Sequence, residues 1–244
     1  MKPRTLTTDE IRYFRYNGFF KIPWILPEKI VSDLKKTIKN HIDNEIEPLV
    51  KDYRNDVMRL SAIWQRGGVF QRVMGGEEVK PVLHSLLGPD VELILNRHNH
   101  LTLRRQDDKT AMSLELHRDC KNWSRTICTI LFFIEETTLE NGCTRVIPGS
   151  HLLPNAAPGL KPENDPWFIQ SGLLEQTIPL PMPAGGMLVI DSMILHSAGK
   201  NHTDGTRMSI TSGYHTVDEH AGIWDPKRVT VFGERVYTGN DRYP

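Results

Sequence analysis

Surplus charge is the first thing missing. The 244-residue chain carries 30 basic and 30 acidic side chains, a formal net charge of zero. That leaves no electrostatic case for nucleic acid or an anionic membrane as the main partner. Cysteine is scarce and odd in number: Cys120, Cys128 and Cys143 show no metal-type pairing. They read as reduced thiols of a cytoplasmic protein. The opening "MKPRTLTTDEIRYFRYNG" lacks the apolar core of a signal peptide. No apolar run approaches the roughly 18 residues of a membrane span. Internal repeats, low-complexity tracts and interdomain linkers are likewise missing, so the expectation is one soluble domain over residues 1–244.

What is present divides into two textures. The first third reads as helical. Thr8 is the expected N-cap, with Asp9 and Glu10 in the first turn where the helix dipole favours acids, and Gly18 ends that helix. "FFKIPWILP" is a short extended piece. Pro27 then starts a second helix carrying Ile30, Val31, Leu34, Ile38 and Ile42 at helical spacing. Residues 76–87 suggest another short helix, and "YRNDVMRLSAIWQRGG", residues 53–68, is assigned to the same helical region. From about residue 89 the runs become short, β-branched and turn-separated: "VELILNRHNHLTLRR", "TICTILFFIE", "QTIPLPMP", "GGMLVID" and "RMSITSGYHTV". Such spacing predicts a sandwich or jelly roll, so the chain is expected to be mainly β with N-terminal helices over about 1–88. "LLPNAAPGLKPENDPW", residues 152–167, reads as a long loop.

Within "LELHRDCKNW", residues 114–123, His117 and Asp119 stand two apart in what reads as a strand. Side chains at that spacing share a face about 6.6 Å apart, while Arg118 and Cys120 point the other way. An imidazole and a carboxylate converging from one strand can fill two positions of a metal's coordination sphere. His196, at the end of the apolar strand in "GGMLVIDSMILHSAGKN", is the best third donor. Two His and one carboxylate on one face leave three positions open, as in non-haem Fe(II) oxygenases. The alternative is a plain His–Asp hydrogen bond or a surface pair. Arg207 follows His196 by eleven residues, across a turn. Pointed into a barrel it demands a carboxylate partner; on an edge strand it would be an ordinary surface residue. Ser209 shares its face.

The order of these motifs resembles a known family. "HRDCKNW", "EETTLENGCTRVIPGSH" and "HSAGKNHTDGTR", together with the opening "LTTDEIRYFRYNGFFKIPWILP", look like the phytanoyl-CoA dioxygenase family of Fe(II)/2-oxoglutarate oxygenases. The resemblance covers nearly the whole chain and is strongest over residues 114–151 and 186–213. It implies a double-stranded β-helix (jelly-roll, cupin-like) core. It also implies that His117, Asp119 and His196 bind iron, and that Arg207, with Ser209, binds the distal carboxylate of 2-oxoglutarate. Thr102, Thr129 and Arg104 fall where members place residues touching the co-substrate. Trp123 stands where ectoine-hydroxylase-like members wall the pocket. The implied reaction consumes O2, oxidatively decarboxylates 2-oxoglutarate to succinate and CO2, and oxidises a C–H bond of a small molecule. Because Asp119 is kept, where related halogenases carry a small residue, hydroxylation leads; ring closure, desaturation and epimerisation share the oxidant. A non-catalytic jelly-roll binding module, or a metal-dependent isomerase or hydrolase on the same core, are the rivals.

The remaining motifs read as structural. "ENG", residues 140–142, is a turn, and His151 in "PGSH" is a loop residue. His98 and His100 alternate along a strand and face either the cavity or solvent. His202, His215 and His220 read as exposed or loop positions, and Cys120 as core. The 53–68 and 152–167 segments are expected to cover the barrel mouth.

Overall fold

Thr7, not Thr8, caps the first helix, α1 (Thr8–Asn17): its hydroxyl accepts from the Glu10 N–H while the Glu10 carboxylate accepts from the Thr7 N–H. This reciprocal pair satisfies two otherwise orphaned donors, which a lone hydroxyl one residue later cannot do. Gly18 closes the helix in the left-handed region at φ 80°. The computed structural model describes residues 1–106, 115–120, 127–156, 160–217 and 226–235.

β1 (Phe19–Lys21) follows, then α2 (Glu28–Asp43) with Leu34 and Ile38 on its buried face. β2 (Leu49–Lys51) and β3 (Val57–Ser61) come next. They are followed by a 3-10 turn at Trp64–Arg66, α3 (Gly68–Met74) and α4 (Lys80–Leu87). The first 88 residues are therefore not wholly helical: residues 53–68 form a strand and a 3-10 turn rather than a helix. β3 buries Val57 and Leu60, three apart, and its burial pattern lacks the two-residue period that marks a strand, so its pairing with β2 and β5 is what defines it.

The β-rich remainder holds β4 (Val91–Ile94), β5 (Asn99–Arg104), β6 (Ile127–Phe133) and β7 (Thr144–Val146). After a short helix, α5 (Pro166–Gln170), come β8 (Ile178–Leu180), β9 (Met187–Asp191), β10 (His196–Ala198), β11 (Arg207–Thr216) and β12 (Arg228–Phe232). The run "VELILNRHNHLTLRR" is thus two strands, broken by a turn in which His98 adopts φ 49°. The major sheet runs β1-β9-β6-β11-β5-β3-β2, with β4 joining β11 and β12; the minor sheet runs β10-β7-β8. All the pairings are antiparallel. The result is a jelly roll whose major sheet gains strands from the N-terminal region at both ends.

Alternation sorts the major sheet's two faces. Leu101, Leu103, Cys128, Ile130, Phe132, Ile210 and Tyr214 point outward onto a core shared with Leu34, Ile38, Phe70, Val73, Val82 and Leu83 from the helices. Truncating one of these, for example Phe132, costs about 3–5 kcal/mol. The other face looks into the roll. At one end Phe133, Leu188 and Ile190 meet Val146, Leu180 and Met182 from the minor-sheet side. At the other end the inward positions are polar: His100, Thr102 and Arg104 on β5, Arg207, Ser209 and Thr211 on β11, and Thr129 on β6. Polar residues facing a cavity while their neighbours face the core are what place the site.

Candidate metal centre and its cavity

His117 and Asp119 do not lie in a regular strand. His117 forms a single antiparallel bridge to His196, with both N–H···O bonds at 3.0 Å. Three residues on, the Cys120 N–H donates to the Ser192 carbonyl at 2.9 Å. The side chains still alternate between two sides. Arg118 Nη2 donates to the carbonyls of Ser150 (2.9 Å) and Pro154 (3.0 Å) on one side, while His117 and Asp119 line the cavity on the other.

His117, Asp119 and His196 each offer a donor atom, all within 4.8 Å of one another. The two imidazole rings stand 4.4 Å apart, centroid to centroid. Nδ1 of His117 contacts the Glu115 carbonyl at 2.8 Å, and Nδ1 of His196 contacts that of Ile194 at 3.1 Å. A carbonyl only accepts, so Nδ1 carries the proton and Nε2 keeps its lone pair, the tautomer a metal requires. Asp119, 3% exposed, takes the Thr129 hydroxyl on Oδ2 at 2.6 Å. Its Oδ1 is 3.4 Å from His196 Nε2 and 3.3 Å from His98 Nε2. Burial alone would raise the Asp119 pKa, but the His196 charge and hydrogen bond, His98 and the Thr129 hydroxyl outweigh it and hold it below the usual carboxylate range. Burial works against charge on His196, yet Asp119 wins and its pKa rises; His117 is pushed down by burial and by His196. Asp119 Oδ1 and His196 Nε2 thus face each other across the point on which a cation would draw both.

The cavity, about 390 Å³, also receives Arg104, Arg207, Ser209, Thr102, Thr129, His98, His100 and Arg59. Arg207 is 5% exposed. Its Nη1 donates to the Gly142 carbonyl, and its Nε is buried without a hydrogen-bond partner. Arg104 lies directly across the β11–β5 pair from it, and Thr102 across from Ser209. Burial first, then the like charge of Arg104, hold the Arg207 guanidinium down at about 10. Gly142, in the expected turn at φ 79°, is wedged against Gly199: a Cβ there would overlap the Gly199 carbonyl.

Of the sequence candidates, then, His117, Asp119, His196, Arg207, Ser209, Thr102, Arg104 and Thr129 all line one cavity, and His98 and His100 join them. Trp123 and His220 lie outside the described residues. His215 is corrected: it is wholly buried on β11, with Nε2 3.6 Å from Glu92 Oε2, because β11 is covered on both faces there. Met58, Arg59 and Val50 from the N-terminal strands line the cavity mouth. The 152–167 segment contributes no lining residue among those described. Instead Glu163 accepts from the Leu116 N–H (2.9 Å) and Lys161 pairs with Glu115 (2.7 Å), bracing the His117 segment from outside. Sequence reasoning missed Arg59, and no local pattern signals it: its place in the cavity comes from the pairing of β3 with β5.

The sequence profile of the phytanoyl-CoA dioxygenase family matches residues 14–209. The dioxygenase sphC of Aspergillus fumigatus is 36% identical over 80 residues, covering 33% of this chain and 18% of that protein. Human peroxisomal phytanoyl-CoA dioxygenase is 22% identical over 236 residues, covering 88% of this chain and 70% of that one. The matched stretch thus spans less than a fifth of the length of the fungal relative. Among solved structures, EctD from S. alaskensis with bound Fe superposes with a TM-score of 0.72 at 17% identity, over 90% of this chain and 80% of that one. That likeness supports the jelly-roll fold.

Proposed function

Because the chain belongs to the phytanoyl-CoA dioxygenase family, we propose that it is an Fe(II)- and 2-oxoglutarate-dependent oxygenase that hydroxylates an unactivated C–H bond of a small molecule. One observation carries the reading. A His–Asp–His cluster with its Nε2 atoms freed faces the same cavity as a buried arginine that has no carboxylate partner among the described residues. A structural His–Asp pair would explain the first half, and an ordinary barrel arginine neither half. A non-catalytic binding module accounts for the cavity but leaves the Arg207 charge buried to no purpose.

His117, Asp119 and His196 would hold iron, and Arg207 with Ser209 would take the distal carboxylate of 2-oxoglutarate; the mixed N/O donor set and the unpaired cation fit these groups. Bound there, the iron would supply O2 activation coupled to conversion of 2-oxoglutarate into succinate and CO2, with oxidation of the substrate. The chain's own residues set the geometry. The Glu115 and Ile194 carbonyls fix the two imidazole tautomers, and the Thr129 hydroxyl anchors Asp119 Oδ2, turning Oδ1 toward the histidines. Ring closure, desaturation and epimerisation require the same apparatus. No helix among the described residues is long and apolar enough to cross a membrane. The three buried free thiols accord with a reducing, cytoplasmic setting, and a core that joins helices 1–88 to strands 89–217 accords with one domain.

The test is succinate release from 2-oxoglutarate with added Fe(II), compared between the wild type and Asp119→Ala. Iron-dependent succinate in the wild type and none in the variant is expected. Equal succinate from both would remove the metal assignment.

A further inference from the structure

The cavity holds more positive charge than the proposed cofactors use. Iron would be met in part by Asp119, and a 2-oxoglutarate dianion would be met by iron and by Arg207, which has Arg104 as its cross-strand neighbour; Arg59, on a strand further over, is left for another group. Among the described residues Arg59 has no carboxylate or hydrogen-bond partner, and burial lowers its pKa, so part of its charge is removed from water.

Its position separates it from the co-substrate's anchor. Arg59 on β3 lies opposite Thr102 on β5, which lies opposite Ser209 on β11; Arg207 is two residues further along β11. Two strand spacings put the Arg59 backbone about 10 Å from the Arg207 strand, and the cross-strand neighbour of Arg207 is Arg104, not Arg59. Beside Arg59 stands His100, on the cavity face of β5 next to Thr102. Its Nδ1 is buried with no hydrogen-bond partner. Burial, then the Arg59 charge, push His100 down to about 3, so it is a neutral imidazole able to donate one N–H at neutral pH. Met58 and Val50 give the same corner an apolar wall.

We propose that Arg59 and His100 form a second anion subsite at the cavity mouth, which selects a substrate carrying a carboxylate or phosphate-type group joined to a small apolar body. This rests on the oxygenase reading for what happens to that substrate, not for the anion preference itself. A charged guanidinium beside an unsatisfied buried N–H is stabilised by an anion and not by a neutral isostere. The apolar Met58 and Val50 then hold the uncharged part, and Arg59 orients it so that a C–H some distance from the anion meets the metal.

The experiment uses the whole protein with saturating 2-oxoglutarate and Fe(II) under anaerobic conditions. Ligand-observed NMR measures the affinities of matched probes: hexanoate against hexanamide, benzoate against benzamide, and phenylphosphonate as the phosphate-type arm. The wild type, Arg59→Gln and Arg59→Lys are compared; the Arg59 side chain is half in solvent and makes no hydrogen bond among the described residues, so both variants are expected to fold, which their circular dichroism checks. Anions are expected to bind at least about tenfold more tightly than their amides in the wild type. That ratio should collapse in Arg59→Gln and partly return in Arg59→Lys. The stronger of the carboxylate and phosphonate arms names the source of the anion. Equal binding of acids and amides in the wild type, or a preference that survives Arg59→Gln, overturns the subsite. Calorimetry of 2-oxoglutarate in the same samples separates the two claims. Its affinity should not change in Arg59→Gln. Failure of 2-oxoglutarate to bind the wild type would sink the oxygenase reading, while the probe ratios would still decide the subsite.

Discussion

Replacing Arg207 by Met should move stability and co-substrate affinity in opposite directions. The side chain is 5% exposed, and no carboxylate among the described residues meets it. Its guanidinium is held at about 10 against an ordinary 12.5 by burial and by Arg104. At 1.36 kcal/mol per pH unit, that gap corresponds to about 3 kcal/mol of unfavourable charge burial in the ligand-free protein. Met fills a similar volume without charge. It forfeits the hydrogen bond to the Gly142 carbonyl, worth about 1–1.5 kcal/mol. The ligand-free variant should therefore be more stable by about 1–2 kcal/mol, a rise in Tm of about 2–6 °C for a chain of this size. The same change deletes one partner of a desolvated charge-assisted pair, which costs about 2–5 kcal/mol of affinity, or at least about thirtyfold in the Kd of 2-oxoglutarate. Differential scanning calorimetry without ligand and titration calorimetry with 2-oxoglutarate check the two halves. A variant that loses stability and keeps its affinity would show Arg207 to be a structural residue, and the reasoning from its missing partner would be wrong.

Thr129→Val keeps the shape of the site and removes the donor on Asp119 Oδ2; Fe(II) affinity should fall by about 10–100-fold with Tm little changed, as a binding titration would read. Iron binding should also be pH-dependent. The His196 pKa is raised by Asp119, so below that raised value a proton occupies the place of the metal. Apparent Fe(II) affinity should then rise with pH through the upper imidazole range, by about tenfold per unit while one proton is displaced, and level off above it; a flat profile between about pH 6 and 8 would contradict this. Gly142→Ala combines a positive-φ penalty with overlap on Gly199 and displaces the carbonyl that receives Arg207. It should cost about 3 kcal/mol or more in urea unfolding and weaken 2-oxoglutarate as well, whereas an exposed glycine turn would tolerate the change.

Much of the site was legible because its chemistry is carried by residue type and spacing. The His-x-Asp pair, His196 at a strand end and Arg207 with Ser209 converge as their alternation requires. Alternation survives even where the strand does not: His117 and Asp119 share a side through one bridge to His196 rather than through a ladder. What stayed hidden depended on tertiary pairing. Residues 53–68 are polar enough to suit a helix surface, and only pairing of β3 with β5 shows that Arg59 belongs to the cavity. His215 read as exposed because an isolated imidazole carries no sign of Glu92, which lies far from it in sequence and meets it through the β11–β4 pair. The first-helix cap slipped by one residue because Thr7 and Thr8 are adjacent and only the reciprocal Glu10 bond distinguishes them. The 152–167 loop was expected over the mouth; its charges instead clamp Glu115 and Leu116, a role no composition signals.

The central claim is that three side chains and one arginine assemble an iron–oxoacid site. An anaerobic absorbance titration tests it most directly: Fe(II), then 2-oxoglutarate, are added to the purified protein, with His196→Ala alongside. A weak visible charge-transfer band that needs both additions and vanishes in the variant is the predicted result. No band in the wild type, with no tight Fe(II) binding, would contradict the account and return His117 and Asp119 to an ordinary hydrogen-bonded pair.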